Sequence, residues 1–338
     1  MSESISRQLT SRTTRRDALG WLGVMTAGIP SALAQSSANP IVGYLGPESP
    51  RLFATRLAYF REGLAESGYH EGRNVILEFR WAEGHYDRLP GLARQLVEHG
   101  VKVLVAPGGA PVALAAKSAT PTIPVIFEMG GDPVALGVVD NLARPPGNVT
   151  GISSLSVDVS RKRLEFLRDV VRKATAFTVI INPTSPTARS QLRSLNEAAE
   201  SLGVELQVSP VARQEEFEPI FASVFSGRTS GIVFTSDPYF ANRSQLLAEL
   251  ALRYKVPAIT QSRDFVLCGG LLSYGGDFTQ SHLQAGIYTG EVLKGKSPKD
   301  LPVQLVTKVE FFINAKTAGL LGLIIPPSLL SGADTVIE

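Results

Sequence analysis

The 338-residue sequence contains a single cysteine, Cys268, so no disulfide within the chain can staple it. Its four histidines, His70, His85, His99 and His282, are scattered, and none has a second ligand at metal-binding spacing. A G-x-S-x-G nucleophile elbow is missing, and Cys268 has no neighbouring histidine. No G-x-G-x-x-G follows the first strand, so the dinucleotide fingerprint is missing as well. Charge of one sign is also lacking: 33 basic residues face 31 acidic ones, and no stripe of alternating aromatic and basic residues marks a nucleic-acid surface. The sequence therefore assigns no catalytic residue, no metal and no cofactor, and nucleic acid is not an expected partner.

Long apolar runs are lacking except near the start. Arg7, Arg12, Arg15 and Arg16 precede "ALGWLGVMTAGIPSALA", which ends in the small-x-small pattern Ala32-Leu33-Ala34. The run is too short and glycine-rich to span a bilayer. "TTRRDAL" resembles a twin-arginine export signal, with Ala18 where such signals carry a large apolar residue. Residues 1–34 are thus expected to be an export signal cleaved after Ala34, by the twin-arginine or the general secretory route. Cleavage would remove four arginines and two acids, leaving 29 basic and 29 acidic residues. The expected location of the remainder is the periplasm, in soluble form.

What is present is alternation. "PIVGYLG", "NVILEFRWAE", "VKVLVAPGG" and "IPVIFEMGGDP" read as short strands, separated by amphipathic helical segments such as "LFATRLAYFREGLAESG" and "YDRLPGLARQLVEHG". After "RPPGNVTGISS" the rhythm restarts with "AFTVIINP", "VELQVSP", "GIVFTSDP" and "VPAITQSRDF" as strands. Two series of alternating strand and helix predict an α/β protein with two parallel sheets, each covered by helices on both faces. The strands end in small or turn-forming residues: Gly46-Pro47, Gly108-Gly109, Gly130-Gly131-Asp132-Pro133, Asn182-Pro183, Ser236-Asp237-Pro238 and Ser262-Arg263. Open parallel sheets bind ligands beyond the carboxyl ends of their strands, which makes these loops the candidate lining of one cleft.

One formal motif is set aside. Gly290 to Ser297 matches the phosphate loop G-x-x-x-x-G-K-S, but that loop needs a strand before it and a helix after it. "SHLQAGIYTGEVLKG" instead has helical spacing, and Pro298 and Pro302 follow.

Among the candidate cleft residues, Asp132 and Asp237 fit three roles: contact with a solute's ammonium or hydroxyl groups, capping of the helix that follows, or acid–base work. Arg263 suits either a planar clamp on a carboxylate or an ion pair with a neighbour such as Asp264. Tyr44, Tyr239 and Tyr274 suit either stacking on a ring or the core.

"GYHEGRNVILEFRWAEGHYDRLPGLARQLV", "IPVIFEMGGDPVALGVVDNLARPPGNVTGIS", "GGLLSYGGDF" and "LGLIIPPSLLSGADTVIE" together resemble the ABC-transporter substrate-binding proteins of the tryptophan/tyrosine type, over essentially residues 40–338. Glu128 and Met129 stand where that family has apolar or small residues, and Gly275-Gly276-Asp277 replaces its Gly-Pro-Asn or Gly-Pro-Asp.

The resemblance implies the type I periplasmic binding protein fold: two Rossmann-like doubly wound lobes, one of residues 40–150 plus 276–296 and one of 151–275 plus 297–338, joined by a three-segment hinge. It also implies hinge closure over a small carboxylate-bearing solute, an amino acid and by default an aromatic one, followed by delivery to a membrane permease. A monomer is expected. Tyr44, Gly46, Gly108, Gly109, Ala110, Gly131, Asp132, Asn182, Asp237, Tyr239, Arg263 and Tyr274 are the expected ligand contacts. Gly108, Gly109 and Ala110 would admit a carboxylate to the helix that begins near Pro111, with Asn182, Asp237 and Arg263 at the solute's far end. Asp132→Ala and Arg263→Ala are each expected to weaken binding about tenfold if they make buried charged contacts. The same scaffold also suits a sensor feeding a membrane receptor or, as a further alternative, a hydrolytic cleft.

Overall fold

A run of wholly buried residues in each central strand organises the molecule. The structure is a computed structural model describing residues 39–154 and 159–338; the expected export signal lies outside the described residues. Strands β1 (Ile41–Gly46), β2 (Ile76–Trp81), β3 (Val103–Pro107), β4 (Val125–Met129) and β5 (Val149–Ser153) alternate with helices α1 (Ala54–Glu66), α2 (Leu89–Glu98) and α3 (Ala110–Ala119) until β4, which leads directly to β5. Every residue of β3 and β4 is buried, as expected of parallel strands covered on both faces.

The second series runs through α4 (Ser160–Val170), β6 (Ala176–Ile181), α5 (Ala188–Leu202), β7 (Glu205–Pro210), α6 (Phe217–Phe225) and β8 (Ile232–Phe234). It continues with α7 (Pro238–Ala241), α8 (Ser244–Arg253), β9 (Ala258–Thr260), α9 (Arg263–Leu267), β10 (Leu272–Gly276) and α10 (Phe278–Leu293). The chain closes with β11 (Gln304–Leu305), β12 (Val309–Asn314), α11 (Ala315–Leu320), α12 (Pro327–Ser331) and β13 (Thr335–Ile337).

One sheet has the order β11-β5-β4-β3-β1-β2 and the other β13-β12-β10-β9-β8-β6-β7. All pairings are parallel except that of β10 with β12, which is antiparallel from Leu272↔Ile313 to Gly276↔Val309. The expectation of two wholly parallel sheets is corrected at that one ladder. Strand β7 lies at an edge, where Pro210 removes no ladder hydrogen bond.

The chain changes sheet after β5, after β10 and after β11, because β5 pairs with β4 and β11 pairs with β5. These crossings fall beyond Ser153, Gly276 and Leu305, and the two-residue strand β11 belongs to the first sheet. Strand β5 was legible only as a link because Thr150, Gly151 and Ser153 dilute its apolar signal. Gly151 is required there, since a Cβ at that position would overlap the Phe127 ring and carbonyl.

Helix α10 returns from the second sheet to pack against α1. Gly63 faces the Leu283 carbonyl and Gly286 the Phe60 carbonyl, so the two helix backbones meet directly there, and Gly290 makes room for the Ser67 side chain. Gly290 therefore sits inside a helix that stops at the left-handed Gly295 (φ 100°), and the phosphate-loop match has the wrong surroundings.

Candidate functional site

The carboxyl ends of the two sheets face each other across a cavity partly open to solvent. Gly108 and Gly109 after β3, and Gly130 and Gly131 after β4, line it from the first sheet. Ser185 and Thr187 after β6, Ser236 and Asp237 after β8, and Gln261 after β9 line it from the second. Phe53 and Arg56 from the start of α1, and Phe278 from α10, complete the wall.

Asp237 is both a cap and a wall residue. Its Oδ1 accepts from the Tyr239 amide at 2.9 Å, holding the first turn of α7. The same oxygen accepts from the Tyr86 hydroxyl at 2.9 Å and the Asn182 side-chain amide at 3.2 Å. Burial raises the carboxyl's pKa, while the nearby Ser185 hydroxyl and the donors from Tyr239, Asn182 and Tyr86 oppose that rise. Asn182 thus acts through Asp237 and does not itself line the cavity.

Glu128 faces the cavity from near the carboxyl end of β4 and is 2% exposed. Its Oε1 accepts from the Ser281 hydroxyl at 2.9 Å, and its Oε2 accepts from the Gly108 N–H at 3.1 Å. Behind it, His282 Nδ1 meets the Phe278 carbonyl at 2.8 Å and Nε2 lies 3.7 Å from Glu128 Oε2. Burial lowers the His282 pKa, and Glu128 opposes the shift.

Among the described residues, three side-chain hydrogen bonds join segments beside one sheet to segments beside the other. Tyr86 reaches Asp237 as described. Arg56 donates from Nη1 to Asn242 Oδ1 at 2.6 Å, with its guanidinium 5.3 Å from the ring centres of both Phe53 and Phe278. Arg243 donates from Nη1 to Glu48 Oε1 at 3.0 Å, and its guanidinium lies 3.6 Å from the Tyr239 ring centre. Burial pushes the Glu48 carboxyl up to about 6 against the pull of Arg243.

Of the expected contacts, Gly108, Gly109, Ala110, Gly131 and Asp237 line the cavity. The others lie elsewhere. Tyr44 is wholly buried among Phe60, Phe79 and Trp81, and Gly46 makes room for the Trp81 ring. Asp132 is exposed and accepts from the Val134 and Ala135 amides at 2.8 and 3.2 Å, closing a turn that no helix follows. Tyr239 packs on Phe217 and Arg243, and Tyr274 on Phe166 and Phe311. Arg263 pairs with Glu310 at 3.2 Å. Sequence reasoning missed Glu48, just past the end of β1, and Arg56, Tyr86 and Arg243, which lie on helices or turns beyond the strand ends; Glu128 was visible only as a departure from the family pattern.

Among the described residues, no group of three or more His, Cys, Asp or Glu side chains is placed to hold a metal, and no helix is long and apolar enough to cross a membrane. Two α/β sheets with apposed carboxyl ends and a cavity between them define the type I periplasmic binding protein architecture. A family model for "ABC transporter substrate binding protein" matches residues 48–337, and the chain belongs to that family.

It is 30% identical over 259 residues to a tyrosine-binding protein of Clostridioides difficile (strain R20291), covering 76% of this chain and 74% of that protein. A solved ABC domain in complex with L-Trp from Streptococcus pneumoniae is 26% identical with a TM-score of 0.79, covering 89% of this chain and all of that one. A conserved domain protein from Vibrio cholerae is 28% identical with a TM-score of 0.78, covering 88% of this chain and 99% of that one.

Proposed function

We propose that this chain is the solute-capturing component of an ABC uptake system: it binds a small solute of the amino-acid class between its sheets and passes it, chemically unchanged, to a membrane permease. The observation that carries this reading is the cavity walled by strand ends of both sheets, with buried polar groups converging on it. The ligands named for the tyrosine-binding and L-Trp-bound relatives support an aromatic amino acid.

Two lobes built on the two sheets would swing about the crossings near 153, 276 and 305, and the three contacts between facing loops are the ones that would form on closure. The reading places the protein in the periplasm after removal of residues 1–34, acting as a monomer. The expected ligand contacts in this reading are the five that line the cavity, with Arg56 and Glu128 added.

Mass spectrometry of whatever co-purifies with residues 35–338, followed by thermal melting with L-tyrosine and L-tryptophan, tests the proposal. A ligand bound to the folded state raises the melting temperature by mass action. Conversion of a bound solute into a product would overturn carriage in favour of catalysis.

A further inference from the structure

The charges facing the cavity do not balance. Among the described residues, Glu128 and Asp237 bring carboxylates to its wall, and Arg56 brings the guanidinium that offsets one of them. Both acids are withdrawn from water, at 2% and 1% exposure. On Asp237 the Tyr86, Asn182 and Tyr239 donors converge on Oδ1, and Oδ2 is buried with no donor in hydrogen-bonding geometry, although the Ser185 hydroxyl lies near the carboxylate. A buried carboxylate oxygen with no donor favours whatever brings one.

Glu128 also occupies the turn at which an anion would otherwise bind. The Gly108 N–H donates to Glu128 Oε2 and to the Glu128 carbonyl, each at 3.1 Å, and the Gly109 N–H donates to that carbonyl at 3.0 Å. The amides that a solute carboxylate would need are engaged, and a carboxylate arriving there would meet a like charge in a place with little water to screen it. His282 does not remove that charge, because its burial favours the neutral imidazole.

We infer that the solute is a small organic cation, held by a protonated nitrogen that donates to Asp237 Oδ2 and is attracted by Glu128, and that it needs no carboxylate of its own. The inference rests on the carrier reading above and replaces its amino-acid solute with amines and other cationic nitrogen compounds. The Phe53 and Phe278 rings supply apolar wall for the uncharged part.

Titration calorimetry on folded residues 35–338 with four probes tests it: tyramine, L-tyrosine, the deaminated acid of tyrosine, and agmatine. The expected result is that tyramine or agmatine binds at least as tightly as L-tyrosine and that the deaminated acid does not bind. Glu128→Gln, shown to be folded by its melting curve, is expected to weaken amine binding by about tenfold or more. If L-tyrosine binds and tyramine is at least about tenfold weaker, the solute needs its carboxylate; the inference falls and the amino-acid reading stands. If the amines bind and L-tyrosine does not, the inference stands and the amino-acid reading falls. Binding by none of the four, or unchanged amine affinity in Glu128→Gln, also overturns the inference.

Discussion

The Tyr86 hydroxyl donates to Asp237 Oδ1 at 2.9 Å, joining residues 151 apart in sequence. Tyr86 stands in a short 3-10 turn ahead of α2, and Asp237 stands at the end of β8. The bond therefore runs from the loops of one sheet to those of the other, beside the cavity. Arg56 with Asn242 and Arg243 with Glu48 cross the same gap. All three place a hydrogen bond to or from a charged group where water is largely excluded, the setting in which such bonds are strongest and leaving a partner unpaired costs most.

Tyr86→Phe removes one of the three donors on a buried carboxylate oxygen while keeping the ring. The expected loss is about 1.5–3 kcal/mol of stability, read from the midpoint of urea denaturation at neutral pH. A midpoint equal to that of the wild type would show that the bond contributes nothing to the folded state.

Glu48 gives a pH dependence with a definite sign. Its carboxyl is raised from 4.5 to about 6 in the fold, chiefly by burial. The folded chain thus holds this proton more tightly than the unfolded chain does. Its contribution to stability is complete below pH 4.5 and is lost as the pH rises through about 6, a swing of about 2 kcal/mol. Glu48→Gln cannot titrate, so denaturation curves at acid and neutral pH should show the wild type losing about that much against the variant as the pH rises. A constant difference between the two proteins would contradict the raised value.

Two glycine substitutions should act in opposite directions. Gly286 lies against the backbone of α1, and a Cβ there would strike the Phe60 carbonyl, which cannot swing aside as a side chain can. Gly286→Ala is expected to cost about 2 kcal/mol or more. Gly319 lies in α11 with nothing within 4 Å of its would-be Cβ, so Gly319→Ala should stabilise by about 0.5–1 kcal/mol. Thermal melting of the pair checks both signs.

Asp132→Ala and Arg263→Ala should leave solute affinity within about twofold of wild type, because one side chain serves its own turn and the other is paired with Glu310. The cost of Asp132→Ala should appear in stability, at about 1 kcal/mol for the lost side-chain bonds of its turn. Calorimetry with whichever probe binds the wild type decides; an affinity loss of about tenfold in either variant would return that residue to the binding surface.

Much of the architecture was legible residue by residue. The apolar runs of β3 and β4, the stop of α1 before left-handed Gly68 and the helical spacing through Gly290 are local patterns, set within one or two turns of chain. The glycines and the aspartate at strand ends were legible for the same reason. Where the pattern was diluted, as in the Thr-Gly-Ile-Ser of β5, the strand was visible only through its pairing with β4. Tyr44, Tyr239 and Tyr274 carry the same composition signal whether they stack on a solute or on a core, so their surroundings alone separate the two.

By itself the amino-acid sequence determined the alternation of strand and helix, the two parallel series and the strand ends on which a site would form, because these follow from hydrophobic period and backbone geometry over short stretches. Only the tertiary structure decided which side chains share the cavity. Glu128 meets the Gly108 amide, and Asp237 meets Tyr86, through contacts between segments 20 and 151 residues apart. Such partners are chosen by how the packed sheets bring their loops together, which no local pattern encodes.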